Sequence, residues 1–191
     1  MPRLGAACPD CAEEQPVVQS CARCLAKPPP WHSLRALAPY APPFSQWMVQ
    51  AKYYEDPVSL GMLRLLSAGL PYWRDYRVCP IPTPAARLRA RGLNLAAALA
   101  WSLAKPRRLP LTEALGCDQT MPAQQGRSRQ QRLQSRHKAF KAEACVAGQR
   151  ILLVDDVMTT GSTLIAATQT LLRAGARRVD VVVWLRTPPP H

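Results

Sequence analysis

Residues 151–164 read Ile-Leu-Leu-Val-Asp-Asp-Val-Met-Thr-Thr-Gly-Ser-Thr-Leu, and the fold follows from how that run divides. Ile151 to Val154 form a short apolar stretch of the kind found in strands buried on both faces. Asp155 and Asp156 stand at its end. A turn of Thr159, Thr160, Gly161, Ser162 and Thr163 follows, and helical spacing begins at Leu164. This layout describes an anion site. Amides in the first turn of a helix lack intrahelical partners, and ligands of open α/β sheets gather beyond the carboxyl ends of the strands.

Working outward, residues 178–185 give a final strand, and residues 164–174 a helix that ends at Gly175. Residues 76–82 read as a strand entering a turn stiffened by Pro80, Pro82 and Pro84, with a further short strand over 109–115. Residues 44–54 carry Phe44, Trp47, Met48 and Ala51 at helical spacing; Lys52 reads as a surface lysine. Asp56 as N-cap and Pro57 at the first helical position open a helix over 58–70. Residues 84–105 form a long helix interrupted only by Gly92, with Arg87, Arg89 and Arg91 in its first turns. Strands alternating with helices predict a mostly parallel, doubly wound α/β sheet.

The chain has 191 residues, 25 Lys and Arg against 12 Asp and Glu, and a formal net charge of +13. That length holds one sizeable core with a small appended module, and the charge favours phosphorylated or polyanionic partners. No stretch reaches the roughly 18 to 20 apolar residues of a membrane span, and the N-terminus lacks the apolar core of a secretory signal. A soluble cytoplasmic protein is expected. Of seven cysteines, Cys8 and Cys11 form one C-x-x-C knuckle, and Cys21 and Cys24 a second. Four thiolates from two such turns close a tetrahedral site, so structural Zn²⁺ is expected there, with no position left open for catalysis. Cys79, Cys117 and Cys145 lack ligand spacing and read as small apolar residues. The organisation is then a zinc-ribbon-like module over 1–28, a proline-rich connector over 29–43 and the main domain over 44–191. Within it, residues 116–128 read as a loop, and 127–138 as a basic, glutamine-rich segment facing solvent, an anionic ligand or nucleic acid.

Several known sites begin with an apolar strand and carboxylates. A nucleoside triphosphatase would need G-x-x-x-x-G-K-[ST], and the chain contains no Gly-Lys pair. A dinucleotide site would need G-x-G-x-x-G, which is absent. A phosphoacceptor domain would need an acidic pair near the start of its fold and another carboxylate later, yet only Asp180 follows Asp156. A ribose-phosphate site fits. Adjacent carboxylates can accept from vicinal ribose hydroxyls, and residues 159–163 supply amides and hydroxyls to a terminal phosphate.

The run Val-Asp-Asp-Val-Met-Thr-Thr-Gly-Ser-Thr resembles the signature for 5-phosphoribosyl 1-pyrophosphate (PRPP) in type I phosphoribosyltransferases. Together with the paired C-x-x-C knuckles it resembles the ComF family, which is associated with natural competence and DNA uptake. The resemblance extends to Lys52-Tyr53, the turn at 81–84, residues 91–94, Gln125, Arg132 and Phe140. Ser135 stands where the family usually has an asparagine.

The resemblance implies a five-stranded parallel core with a small hood, the N-terminal zinc ribbon, and Mg²⁺-dependent binding of PRPP. Asp155 and Asp156, on which catalysis would depend, would hold the ribose hydroxyls. Thr159, Thr160, Gly161, Ser162 and Thr163 would hold the 5-phosphate, and Thr83 with Arg87 or Arg91 the pyrophosphate. The loop over 119–136 would close on the site. The implied enzyme is a phosphoribosyltransferase, which moves a pentosyl group. The alternative is a non-catalytic accessory protein that binds single-stranded DNA or a DNA-uptake helicase during transformation.

Overall fold

The computed structural model describes residues 6–117 and 140–188, except for the side chain of Arg91. Its centre is a four-stranded parallel sheet in the order β1-β6-β5-β2, built from β1 (Ser33–Pro39), β2 (Tyr76–Pro80), β5 (Arg150–Met158) and β6 (Arg178–Arg186). β5 and β6 lie inside, which explains their near-continuous apolar sequences. Their alternate residues serve two separate cores. Ile151, Leu153, Val179, Val181 and Val183 pack with α6 (Ser162–Arg173) on one face. Leu152, Val154, Val182 and Trp184 pack on the other face with α2 (Phe44–Tyr53), α3 (Pro57–Leu66) and α5 (Leu95–Arg107). The doubly wound expectation is met. Trp184, fully buried, also donates from its indole nitrogen to the Leu63 carbonyl at 2.7 Å.

Local signals account for most boundaries. Asp56 accepts from the Ser59 amide at 2.8 Å with Pro57 opening α3, the expected cap. The helix expected over 84–105 is instead two, α4 (Ala85–Arg91) and α5, because Gly92 takes φ +72° and Asn94 re-caps by accepting from the Ala97 amide at 3.2 Å. A left-handed glycine ends one helix, and an asparagine cap begins the next.

Two differences concern the sheet edges. Residues 33–39, inside the stretch read as connector, form β1 in register with 180–186, beginning Ser33 opposite Asp180. Flanking prolines conceal a strand that needs only one partner, since β1 is an edge. On the opposite edge the implied fifth strand is a single parallel bridge, Leu111 to Val78. Val78 donates to the Pro110 carbonyl at 2.8 Å and its own carbonyl accepts from the Thr112 amide at 2.9 Å. Pro110 has no amide with which to lengthen the ladder. Nearby, β3 (Leu115–Cys117) pairs antiparallel with β4 (Phe140–Ala142), where a loop had been expected to begin at Gly116. That pairing partner lies beyond any local pattern. Among the described residues the remaining α-helix is α1 (Ala22–Ala26), which carries Cys24.

At the amino end of the sheet, Asp180 is 1% exposed and accepts from Ser33 Oγ at 2.6 Å, from Arg178 Nε at 2.7 Å and Nη2 at 3.2 Å, and from Tyr76 Oη. Burial alone would raise its pKa, but the bonds from Arg178, Ser33 and Tyr76 outweigh burial and lower it. Burial, followed by the bond to Asp180, pushes the Tyr76 phenol up to about 12. Asp180→Ala strands the buried donor of Tyr76 and the half-buried one of Ser33, so a loss of about 3 kcal/mol is expected in urea unfolding. Because the folded pKa lies below the unfolded one, this stabilisation is present above pH ~4 and disappears as the pH falls through the depressed folded value.

Candidate functional site

The carboxyl ends of all four strands share one edge of the sheet, and the 151–164 run meets that edge as expected. β5 continues through both carboxylates to Met158. The chain then turns at Thr159 and Thr160, and Gly161 is the N-cap of α6 at φ +77°. A glycine cap has no side chain to occupy the first-turn amides, and that turn carries no acidic residue. The helix therefore presents amide donors and the positive end of its dipole. Thr159, Thr160 and Thr163 are exposed, and Ser162 is partly buried. Thr160 Oγ1 and Ser162 Oγ lie 3.1 Å apart.

A Cβ on Gly161 would sit 2.8 Å from Met158 Cε and 3.6 Å from Trp31 Cη2. Methionine can yield, but the left-handed conformation cannot be relieved in this way. Gly161→Ala is expected to cost about 1–2 kcal/mol in thermal unfolding.

Asp155 and Asp156 follow one another near the end of β5, with their carboxylates beside each other. Each accepts from the next amide, Asp155 Oδ1 from Asp156 N–H at 2.9 Å and Asp156 Oδ1 from Val157 N–H at 2.7 Å. Asp156 Oδ2 also meets Lys52 Nζ from α2. Lys52 is thus not a plain surface lysine: its side chain is 24% exposed and lies in the site. Its spacing carried the signal, since Phe44, Met48, Ala51 and Lys52 fall on one helical face. Burial, followed by the Asp156 carboxylate, pushes the Asp155 carboxyl well up.

β2 delivers the neighbouring turn. Pro80 pairs with Val154 and Ile81 N–H donates to the Val154 carbonyl at 2.8 Å, so the 81–84 turn leaves the sheet alongside Asp155. Asn94 Nδ2 holds the Ile81 carbonyl at 3.3 Å. Thr83 is partly buried in this turn, and Arg87 is exposed on α4. Arg91 ends α4, and its side chain lies outside the described residues, as do Gln125, Arg132, Ser135, the 119–136 loop and the basic 127–138 segment.

The four expected metal ligands come together. Cys8, Cys11, Cys21 and Cys24 are buried, with all Sγ atoms within 4.8 Å of one another. Cys11 and Cys21 Sγ are 3.7 Å apart, close to the edge of about 3.8 Å that a tetrahedron with 2.3 Å metal–sulfur bonds requires. Burial pushes the Cys24 and Cys11 thiols up. At Cys8 burial also raises the pKa, but amides of Cys21, Asp10 and Cys11 outweigh it. The Cys21 amide reaches Cys8 Sγ at 3.3 Å, and Arg23 Nη2 reaches Cys11 Sγ at 3.7 Å. Buried soft donors with amide and guanidinium partners suit a divalent metal such as zinc.

The phosphoribosyl transferase domain family matches residues 88–189 of the chain. The DNA utilization protein YhgH of Escherichia coli K12 is 33% identical over 192 residues, which cover 94% of this chain and 84% of that one. Competence protein F of Haemophilus influenzae is 27% identical over 187 residues, covering 91% and 82%. The chain belongs to the ComF family. Among solved structures, the glutamine phosphoribosylpyrophosphate amidotransferase from B. subtilis is 19% identical with a TM-score of 0.47, over 71% of the ComF chain and 30% of its own. The ComF chain therefore spans less than a third of that protein's length.

In this ComF chain the cysteine cluster and the 151–164 loop are neighbours, a juxtaposition that sequence reading missed. The cysteines share a core cluster with Trp31, Met158 and Leu164. Trp31 Nε1 donates to the Asp10 carbonyl at 2.7 Å. Cys145 is exposed, contrary to its apolar reading, whereas Cys79 is fully buried. Among the described residues no helix is long and apolar enough to cross a membrane.

Proposed function

We propose that this chain binds PRPP with Mg²⁺ across the carboxyl edge of its sheet and acts as a phosphoribosyltransferase, with zinc held by Cys8, Cys11, Cys21 and Cys24. The observation that carries this reading is the open amino end of α6, capped by Gly161, beside two consecutive carboxylates on β5. Amides and hydroxyls of residues 159–163 receive the 5-phosphate, and Asp155 and Asp156 the two ribose hydroxyls. The 81–84 turn, with Thr83, Arg87 and Arg91, receives the pyrophosphate. When bound, Mg²⁺ supplies charge neutralisation to the pyrophosphate oxygens.

The reaction breaks the bond from ribose C1 to the pyrophosphate oxygen, which departs with the bonding pair, and a nucleophile on the acceptor forms the new bond at C1. The chain's contribution is electrostatic. Carboxylates close to the ribose favour the positive charge that develops on the ring, and cations at the turn favour the departing anion. Lys52, bonded to Asp156, fixes the orientation of that carboxylate.

The experiment is incubation with PRPP, Mg²⁺ and a panel of nucleobases, ammonia and glutamine, with pyrophosphate release as the readout. Release that depends on one acceptor supports transfer; PRPP binding without release from any acceptor leaves a PRPP-sensing protein. The second reading is an accessory protein acting in the cytoplasm on single-stranded DNA or a DNA-uptake helicase. It is favoured by the net charge of +13 and by the names of the DNA utilization and competence relatives. Oligonucleotide affinity that falls steeply with salt would support it.

A further inference from the structure

Arg186, the last residue of β6, is 3% exposed yet has no carboxylate partner in its bonding set. Two of its three nitrogens donate to backbone carbonyls, while Nη2, also buried, has no hydrogen-bond partner among the described residues. Nε donates to Cys11 at 2.9 Å, and Nη1 to Thr159 at 2.6 Å, Met158 at 3.3 Å and Thr187. One buried cation therefore joins a metal knuckle to the two residues at which the phosphate loop begins. A trans peptide sets its C=O and N–H on opposite sides. Drawing the Met158 and Thr159 carbonyls toward the guanidinium turns the Thr159 and Thr160 amides away from it, on residues that are themselves exposed.

The charges fit the same arrangement. Four thiolates around a divalent ion would carry a net charge of about −2, and among the described residues Arg186 and Arg23 both place guanidinium groups beside Cys11. The metal cluster is then the counter-charge that allows Arg186 to remain buried. A second contact runs in parallel: Trp31, which is bonded to Asp10 between Cys8 and Cys11, lies 3.6 Å from where a Gly161 Cβ would stand.

We propose that Arg186 is a positioning residue which aligns the phosphate-loop amides and ties that alignment to metal at the four cysteines, so that metal and PRPP each strengthen the other's binding. This rests on the ribose-phosphate reading above. Linkage makes the effect reciprocal: the factor by which metal raises PRPP affinity is the factor by which PRPP raises metal affinity.

The test uses the full chain loaded with Zn²⁺. Metal release to a chromogenic chelator is followed with and without PRPP, and PRPP affinity is measured by titration calorimetry with Mg²⁺, for wild type and Arg186→Lys. The expected result is metal affinity about 10- to 100-fold weaker in Arg186→Lys, the cost typical of losing an outer partner of a metal ligand. At equilibrium with the chelator, PRPP should strengthen metal retention by wild type about 5-fold or more and leave that of Arg186→Lys unchanged. If wild type retains metal equally with and without saturating PRPP, the proposal is overturned, and that measurement needs no variant to fold. If wild type binds no PRPP but Arg186→Lys still holds metal more weakly, the tie to the cysteine site stands and the ribose-phosphate reading fails instead.

Discussion

Asp155→Asn combined with Asp156→Asn is expected to weaken PRPP binding by about 10²- to 10⁴-fold, because two charge-assisted hydrogen bonds of about 1.5–3 kcal/mol each are lost together. The single change Asp155→Asn should leave the fold intact and raise the melting temperature at neutral pH. Asp155 is held well above the usual carboxylate range by burial and by Asp156. The folded state therefore binds its proton more tightly than the unfolded chain does, and stability declines as the pH rises from about 4 toward the raised folded value. Asparagine keeps the oxygen that accepts from the Asp156 amide and removes the charge. Melting curves at pH 4 and pH 8 should show the single variant Asp155→Asn gaining on wild type only at the higher pH. A gain at both would mean that some other contact changed.

Removing the metal is expected to have the second large effect. With zinc bound as proposed, chelation or Cys24→Ser should lower the melting temperature of the whole domain, with no separate transition for a detached module. The four cysteines are buried in the same core cluster as Ile151, Leu153, Val181 and Leu164, so losing the site uncovers the face of the sheet. Structural zinc contributes about 10–16 kcal/mol in small peptides at neutral pH, and even a fraction of that is comparable to a domain's total stability. Acid should act in the same direction as chelation, because Cys11 and Cys24, whose thiols burial pushes up, must be deprotonated to bind. Calorimetric scans with and without chelator from pH 8 down to pH 5 would read this as a gap that closes toward acid.

The parts of this protein that are legible in its sequence are those whose cause is local. The apolar run at 151–154, the glycine at 161 and the aspartate–proline pair at 56–57 each specify their own backbone, and strand, turn and cap stand where that chemistry puts them. The C-x-x-C knuckles are legible for the same reason, since each ligand pair sits within one turn. Pairing between distant segments is less legible. β1 is held by β6 almost 150 residues away, and the β3–β4 ladder joins residues on either side of a long intervening segment.

The candidate site divides in the same way. Asp155, Asp156 and the 159–163 turn are visible in a single stretch of chain. Lys52 taken singly looks like any surface lysine; its place on the same helical face as Phe44, Met48 and Ala51 is what marks it. Arg186 left only a faint trace, an arginine closing the run Val-Val-Val-Trp-Leu, and its partner Cys11 lies 175 positions earlier. No periodicity could link those two residues; the parallel sheet does, by bringing the end of β6 to the edge where the loop and the cysteines meet.

The central claim is that this edge is a PRPP site, and titration calorimetry of the full chain with PRPP tests it most directly. One saturable site is expected in the presence of Mg²⁺, lost on adding EDTA and absent in the Asp155→Asn, Asp156→Asn variant. Binding that survives that double replacement, or no binding of PRPP by wild type with Mg²⁺ present, would contradict it.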